Sequence, residues 1–340
     1  MIIHQRSLLT AFLIFLLSFI VIGVAFAGQN AVKDKNNKKI LIQVTDKQFQ
    51  VDNKGQKVKA FEILFVQPDG SVNKKGYFGV KGELFNVIVE NKSSESITIH
   101  WHGLIVPNNQ DGVPNVTQLL IRPGEKKAYK YRLLQSGTYW MHSHQGLQEQ
   151  QQLSAPLIIY ESKTKDQKIQ DIVMFLEDFT YKDPYVLFAN LRNTKMKKSM
   201  SSKRKQQDYN DVTYDAYLTN KRSLSNPEII VTDPQKIVRL RIINASSSTN
   251  YQIDLGELEG QLVAVDGEKI KPIIDNKFPI GIANRLDILV KLPLTRGVFP
   301  ILGLAEGTNK QTGIILTTTK NKVTTPGPIS KNLMGQIDYY

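Results

Sequence analysis

Four of the five histidines in this 340-residue sequence form two His-x-His pairs, His100-Trp101-His102 and His142-Ser143-His144. Each pair sits at the end of a strand-like run. In an extended strand, residues i and i+2 face the same side, roughly 6.5 to 7 Å apart, while i+1 turns away. Each pair thus aims two imidazoles at one space and sends Trp101 toward the core behind it. Two such strands side by side would gather four neutral imidazoles, a ligand set for copper, nickel, iron or zinc among which imidazole alone does not choose. One such pair is weak evidence, since a chance pair on an edge strand is not rare. Two pairs that account for every histidine except His4 are a strong signal. The sequence has no cysteine, which excludes both disulfides and thiolate ligands from these residues.

The elements that must position these side chains read as short strands. Residues 40–44, 60–66, 84–89, 97–102, 128–133, 138–142 and 155–160 carry apolar, β-branched or alternating patterns. Pro68-Asp69-Gly70, residues 108–112 and Arg122-Pro123-Gly124-Glu125 are turn chemistry between them. No helical apolar period lasts three turns. A second block follows, with strands at 169–176, 228–231, 237–243, 251–255, 262–265, 285–291, 299–304 and 312–317. Residues 183–209 are patterned more weakly and include a helical stretch. So many short strands punctuated by turns predict an all-β chain of two tandem Greek-key sandwiches or barrels. The first spans 38–162 and carries both histidine pairs; the second spans 163–322 without metal ligands, and 323–340 reads as a tail.

The residues around the pairs carry a resemblance. Ile99-His100-Trp101-His102-Gly103-Leu104, Asp111-Gly112-Val113-Pro114, Pro123-Gly124-Glu125, Gly137-Thr138-Tyr139-Trp140-Met141-His142-Ser143-His144 and Gly146-Leu147-Gln148-Glu149-Gln150 follow in order. Together they resemble the amino-terminal cupredoxin domain of multicopper oxidases, and the last segment is most similar to the bacterial copper-resistance type. Val238-Arg239-Leu240-Arg241-Ile242-Ile243-Asn244-Ala245-Ser246, Ala264-Val265-Asp266-Gly267 and Asn284-Arg285-Leu286-Asp287-Ile288-Leu289-Val290 look like the family's middle domain. The resemblance implies copper as cofactor and cupredoxin-like folding of both blocks. By position, His100 matches a type 2 copper ligand, His102 a ligand of one type 3 copper, and His142 and His144 ligands of the type 3 pair. Asp111 matches a catalytic acid that manages protons during dioxygen reduction; its plainer reading is turn formation before Gly112. Glu149 reads as a structural hydrogen-bonding residue. The implied reaction reduces dioxygen to water while oxidising cuprous ion or a phenolic substrate, in the service of copper tolerance.

The sequence departs from the family in its ligands. A complete oxidase draws further histidines, and a blue type 1 copper held by cysteine, from a third domain. Here cysteine is absent, and residues 271–340 contain no histidine. The segment 73–79 also lacks the family's Pro-Gly-Pro, a change far from the ligands. The expected function is therefore the copper-binding amino-terminal part of an oxidase, completed by a companion chain carrying the third cupredoxin domain. The alternatives are a non-catalytic periplasmic copper-binding or scaffold protein, or a truncated remnant of the oxidase.

Residues 1–27 have the layout of a secretory signal: His4 and Arg6, an apolar run from Leu8 to Ile22, and Ala25-Phe26-Ala27 ahead of Gly28. This predicts a periplasmic or secreted protein, with a membrane anchor as the alternative. The net charge of +13 invites a nucleic-acid reading, but export and the lack of any nucleic-acid motif exclude that partner. The basic run 195–205 reads as a solvated loop, or else as a contact for an anionic membrane surface or acidic partner.

Overall fold

The computed structural model describes residues 39–163, 166, 168–193 and 212–319. The leader at 1–27, the basic run at 195–205 and the tail at 323–340 lie outside the described residues.

Alternation builds the first sandwich. Strand β5 (Leu84–Asn91) turns Phe85, Val87, Val89 and Asn91 inward and leaves the residues between them partly exposed. That is the period-2 signature of a sheet with one face on a core. With β1 (Ile40–Phe49), β2 (Val58–Val66), β3 (Val72–Asn73) and β7 (Lys126–Arg132) it forms a sheet of order β3-β2-β1-β5-β7. The facing sheet has order β4-β9-β8-β6, from β4 (Tyr77–Val80), β6 (His100–His102), β8 (Gly137–His142) and β9 (Ser154–Tyr160). Between them lies a core that includes Phe65, Phe85, Ile97, Ile99, Trp101, Tyr129 and Leu157.

The second sandwich pairs a sheet of order β11-β10-β13-β18-β15-β16 with one of order β12-β20-β19-β14-β17. The first is built from β10 (Ile169–Phe179), β11 (Ala216–Thr219), β13 (Ile237–Asn244), β15 (Gly260–Val265), β16 (Glu268–Asp275) and β18 (Arg285–Lys291). The second comes from β12 (Glu228–Val231), β14 (Tyr251–Asp254), β17 (Lys277–Ile280), β19 (Val298–Ala305) and β20 (Gln311–Thr317). A short helix, α1 (Pro184–Arg192), follows β10, its first turn capped by the Asp183 side chain. The chain is thus all-β, as two tandem cupredoxin-like sandwiches.

The two sandwiches share a topology. The run β2-β1-β5-β7 of the first matches β11-β10-β13-β18 of the second, and β4-β9-β8-β6 matches β12-β20-β19-β14. Parallel pairs fall at the same places, β1 with β5 and β10 with β13, and β4 with β9 and β12 with β20. The strands equivalent to the histidine-bearing β6 and β8 are therefore β14 and β19, which contain no histidine.

Five strands, β3, β4, β11, β16 and β17, were not expected from the sequence, and each lies at a sheet edge. Four of them, β3, β4, β11 and β17, are four residues long or shorter, too short for a periodic pattern to stand out. In β16, Glu268, Lys269, Lys271, Pro272, Ile273 and Ile274 are all exposed. Among the described residues no helix is long and apolar enough to cross a membrane.

The sandwiches are joined through β8 and β9. Trp140 and Ile158 pack with Phe175, Ile243 and Ala245 of the second sandwich. Beside this apolar cluster, the buried Arg241 binds Asp171 at 2.7 Å, Asp287 at 3.0 Å and Thr138 Oγ1 at 3.0 Å, and the Thr138 hydroxyl also donates to Asp287.

Candidate metal centre

Strands β6 and β8 run antiparallel with His100 opposite His142 and His102 opposite Trp140. Side chains directly opposite on one face of such a pair are neighbours. This register, together with the i, i+2 spacing within His100-Trp101-His102, brings three imidazoles to one place. The ligand nitrogens of His100, His102 and His142 all lie within 4.8 Å of one another. His144, just past the end of β8, stands at the exposed rim, its ring 5.0 Å from His100 and 5.2 Å from His142. The intervening Trp101 is fully buried, packs on Phe85 and Tyr129, and donates its Nε1 proton to the Gln110 carbonyl at 3.0 Å.

Two of the three central histidines are oriented from behind by acceptors at Nδ1. His100 Nδ1 lies 2.8 Å from the Asp111 carbonyl and 3.2 Å from its carboxylate. His142 Nδ1 lies 2.7 Å from the Glu149 carboxylate and 3.0 Å from the Ser143 carbonyl. With only acceptors around it, each Nδ1 is placed to donate, which leaves Nε2 as the nitrogen available to a metal. Gly112 makes the Asp111 arrangement possible. Its φ is +85° and a Cβ there would stand 1.8 Å from the Ile99 carbonyl oxygen, so only glycine lets this turn approach β6 so closely.

The Gly-Leu-Gln-Glu-Gln segment fixes the second pair. Gln148 accepts from the Ser143 hydroxyl at 2.8 Å and donates to the Ser96 carbonyl at 3.0 Å, and Gln150 donates to the Asp178 carbonyl of β10 at 3.1 Å. Trp140 supports the rings themselves, stacked on His142 at 4.3 Å and 18° and tilted against His102 at 5.0 Å.

Protonation agrees with a ligand role. Burial holds the His100 imidazole below its usual range against the opposing pull of Asp111. His102 is pushed down to about 3, first by burial and then by the positive charge of Arg285. Burial, and then the neighbouring His142, lower His144 as well. These three rings are neutral at neutral pH, the form that coordinates metals.

The donor set fits a first-row transition ion. His102 Nδ1 and His142 Nε2 are 3.3 Å apart. Two imidazole nitrogens bound at about 2.0 Å to one ion at a near-tetrahedral angle stand about 3.3 Å apart. The sequence placed all four histidines and Asp111 in one constellation, and the structure brings them together. It adds two groups that the sequence reading had not tied to the rings: Glu149, behind His142, and Trp140, beneath His142 and His102. A tryptophan two residues before His142 was the available signal for the stack, since i and i+2 share a strand face. Arg285 had no such signal, because only the tertiary fold brings it near.

Cupredoxin-like sandwiches with a histidine cluster at one edge define a class of copper proteins, and the comparisons place the chain within it. Family models described as multicopper oxidase match residues 79–164 and 170–322. The chain belongs to the multicopper oxidase family. It is 29% identical over 243 residues to copper resistance protein A of Escherichia coli, a match covering 62% of this chain and 40% of that protein. To multicopper oxidase MmcO of Mycobacterium tuberculosis it is 28% identical over 251 residues, covering 70% of this chain and 49% of that protein. The fold is similar to that of a laccase from Botrytis aclada, with a TM-score of 0.67 at 21% identity over 88% of this chain and 56% of that one. The chain thus matches less than half the length of these two curated relatives.

Proposed function

We propose that this chain is the copper-binding amino-terminal part of an exported, copper-resistance-type multicopper oxidase. In this reading residues 38–162 form the ligand-bearing domain and 163–322 a domain that supports it. His100, His102, His142 and His144 hold part of a type 2 and type 3 copper cluster. The observation that carries the proposal is the convergence of imidazole nitrogens, with His102 Nδ1 and His142 Nε2 3.3 Å apart and a carboxylate beside the Nδ1 of His100 and of His142. Bound copper supplies the one-electron redox chemistry by which dioxygen is reduced at the expense of cuprous ion or a phenol.

The chain's own residues do the rest. Asp111 and Glu149 set the tautomers of His100 and His142, and Trp140 fixes the plane of the His142 ring. The Asp111 carboxylate, 28% exposed and beside His100, has access to water as well as to the ring, the position needed to hold or pass a proton. Four histidines and no cysteine leave the cluster's remaining ligands and the thiolate electron-entry site to another cupredoxin domain, supplied by a companion chain or by further sequence.

The test has two stages. The purified chain should bind copper without the intense blue Cu–thiolate band, and it should consume no dioxygen with a phenolic or cuprous substrate. Oxygen consumption should appear when a cysteine-bearing cupredoxin domain of the same family is added, and His102→Ala should abolish it. Turnover by the chain alone, or activity in the mixture that survives His102→Ala, refutes the assignment. The absence of cysteine favours a second reading, a periplasmic copper-binding protein without turnover. Copper binding with no activity under any pairing would support it.

A further inference from the structure

Arg285 opens β18 in the second sandwich, yet its side chain, 5% exposed, is held against the metal-binding edge of the first. Its Nε donates to the Thr138 carbonyl at 3.3 Å, Nη1 to the Ala283 carbonyl at 2.9 Å and Nη2 to the Asp266 carbonyl at 3.1 Å. The guanidinium lies over the Tyr139 ring, 5.8 Å from its centre. It also presses on the residue that follows His102: a Cβ at Gly103 would stand 2.5 Å from Nη2.

These contacts orient the charge and offset it only in part. Three of them are to neutral carbonyls. The carboxylate in reach is Asp266, with Oδ1 3.2 Å from Nη1, and its side chain is 40% exposed, so water shares its field. An arginine keeps its proton across the accessible pH range. A fixed, buried cation therefore stands against Gly103, the residue that follows His102 at the metal-binding edge. Repulsion between fixed charges scales with the charge of the incoming ion and is strong where water is excluded. A divalent ion at the cluster is opposed twice as much as a monovalent one.

We infer that Arg285 biases the histidine cluster toward cuprous over cupric ion, making the second sandwich an electrostatic part of the metal site. The inference rests on the copper reading above. Arg285 acts here as a positioning and field-setting residue, and it touches no metal.

The experiment measures both affinities on the purified full chain, cuprous ion by anaerobic competition with bicinchoninate and cupric ion by competition with nitrilotriacetate. Arg285→Gln should raise cupric affinity relative to cuprous by about tenfold. Arg285→Lys, which keeps the charge, should stay near the wild-type ratio. Asp266→Asn should shift the ratio the opposite way, severalfold toward cuprous, because it removes the partial counter-charge. That variant keeps an acceptor oxygen and suits a residue with φ of +53°, where asparagine is tolerated. It decides the question alone if Arg285→Gln does not fold. A purely structural role for Arg285 predicts that both affinities fall together. That result, or an unchanged ratio in Asp266→Asn, overturns the inference while leaving the copper reading standing. A wild-type chain that binds neither ion overturns both.

Discussion

His100 and His142 are oriented by the same device but not to the same degree. Behind His100, the Asp111 carbonyl at 2.8 Å is closer than the Asp111 carboxylate at 3.2 Å, so the backbone alone can fix the ring. Behind His142, the Glu149 carboxylate at 2.7 Å is closer than the Ser143 carbonyl at 3.0 Å, and the charged group dominates. Glu149→Ala should therefore lower copper affinity by about 10- to 100-fold, the range found when such outer partners of metal ligands are removed. Asp111→Ala should change it by less than about tenfold on the same scale, because the carbonyl remains. Chelator competition on both variants checks the pair. If Asp111→Ala keeps copper but stops dioxygen reduction in the reconstituted mixture, its carboxylate handles protons; if activity follows copper content, it only orients. Residue type and spacing made the histidines legible in the sequence. They could not reveal Arg285, whose bond to Thr138 spans 147 residues of chain.

At the scale of elements, β6 is three residues long, and its position depends on what packs behind it. Trp101 anchors its inner face, and the Asp111-Gly112 turn is pressed against Ile99 and His100. Gly112→Ala would place a Cβ 1.8 Å from the Ile99 carbonyl oxygen at a φ of +85°. The turn must then move, and the strain should cost about 1–3 kcal/mol or more. It should also pull Asp111 off His100. Denaturant unfolding should thus show lost stability, and copper affinity should fall further than in Asp111→Ala, since carbonyl and carboxylate leave together. A variant with lost stability but unchanged affinity would show that the turn does not orient the ring. The strands expected from the sequence were those with one face on a core, such as β5, or with a continuous apolar run, such as β9. Of the missed edge strands, β3, β4, β11 and β17 are four residues long or shorter and β16 is mostly exposed, so no side-chain period stands out from the sequence. The same limit hid the duplication of topology, since β14 and β19 share none of the histidine chemistry of β6 and β8.

For the whole molecule, the question is why a sandwich without metal ligands accompanies one that has them. The structure answers with a buttress: β8, which ends in His142, is held from outside by Trp140 packing on Phe175 and by Thr138 bonding to Arg241 and Asp287. Arg241 is the centre of that polar network, its side chain 3% exposed, and Asp287 is 9% exposed. Burial pushes the Asp287 carboxyl up, and Arg241 opposes that push. Removing the arginine leaves a buried carboxylate without its cation, a loss of about 3–5 kcal/mol for pairs of this kind. Replacing both partners with apolar residues of similar volume is often close to neutral, because neither charge then has to be desolvated. Arg241→Met should thus lower unfolding stability by about 3 kcal/mol, and Arg241→Met combined with Asp287→Leu should recover most of it. Copper affinity separates stability from support. If the network matters as a buttress, the double variant regains stability but binds copper severalfold more weakly, because Thr138 has lost both partners and β8 is less firmly held. If affinity recovers together with stability, backbone pairing and the Trp140 cluster hold the strand without the network, and the second sandwich acts on the metal site through packing and the charge of Arg285.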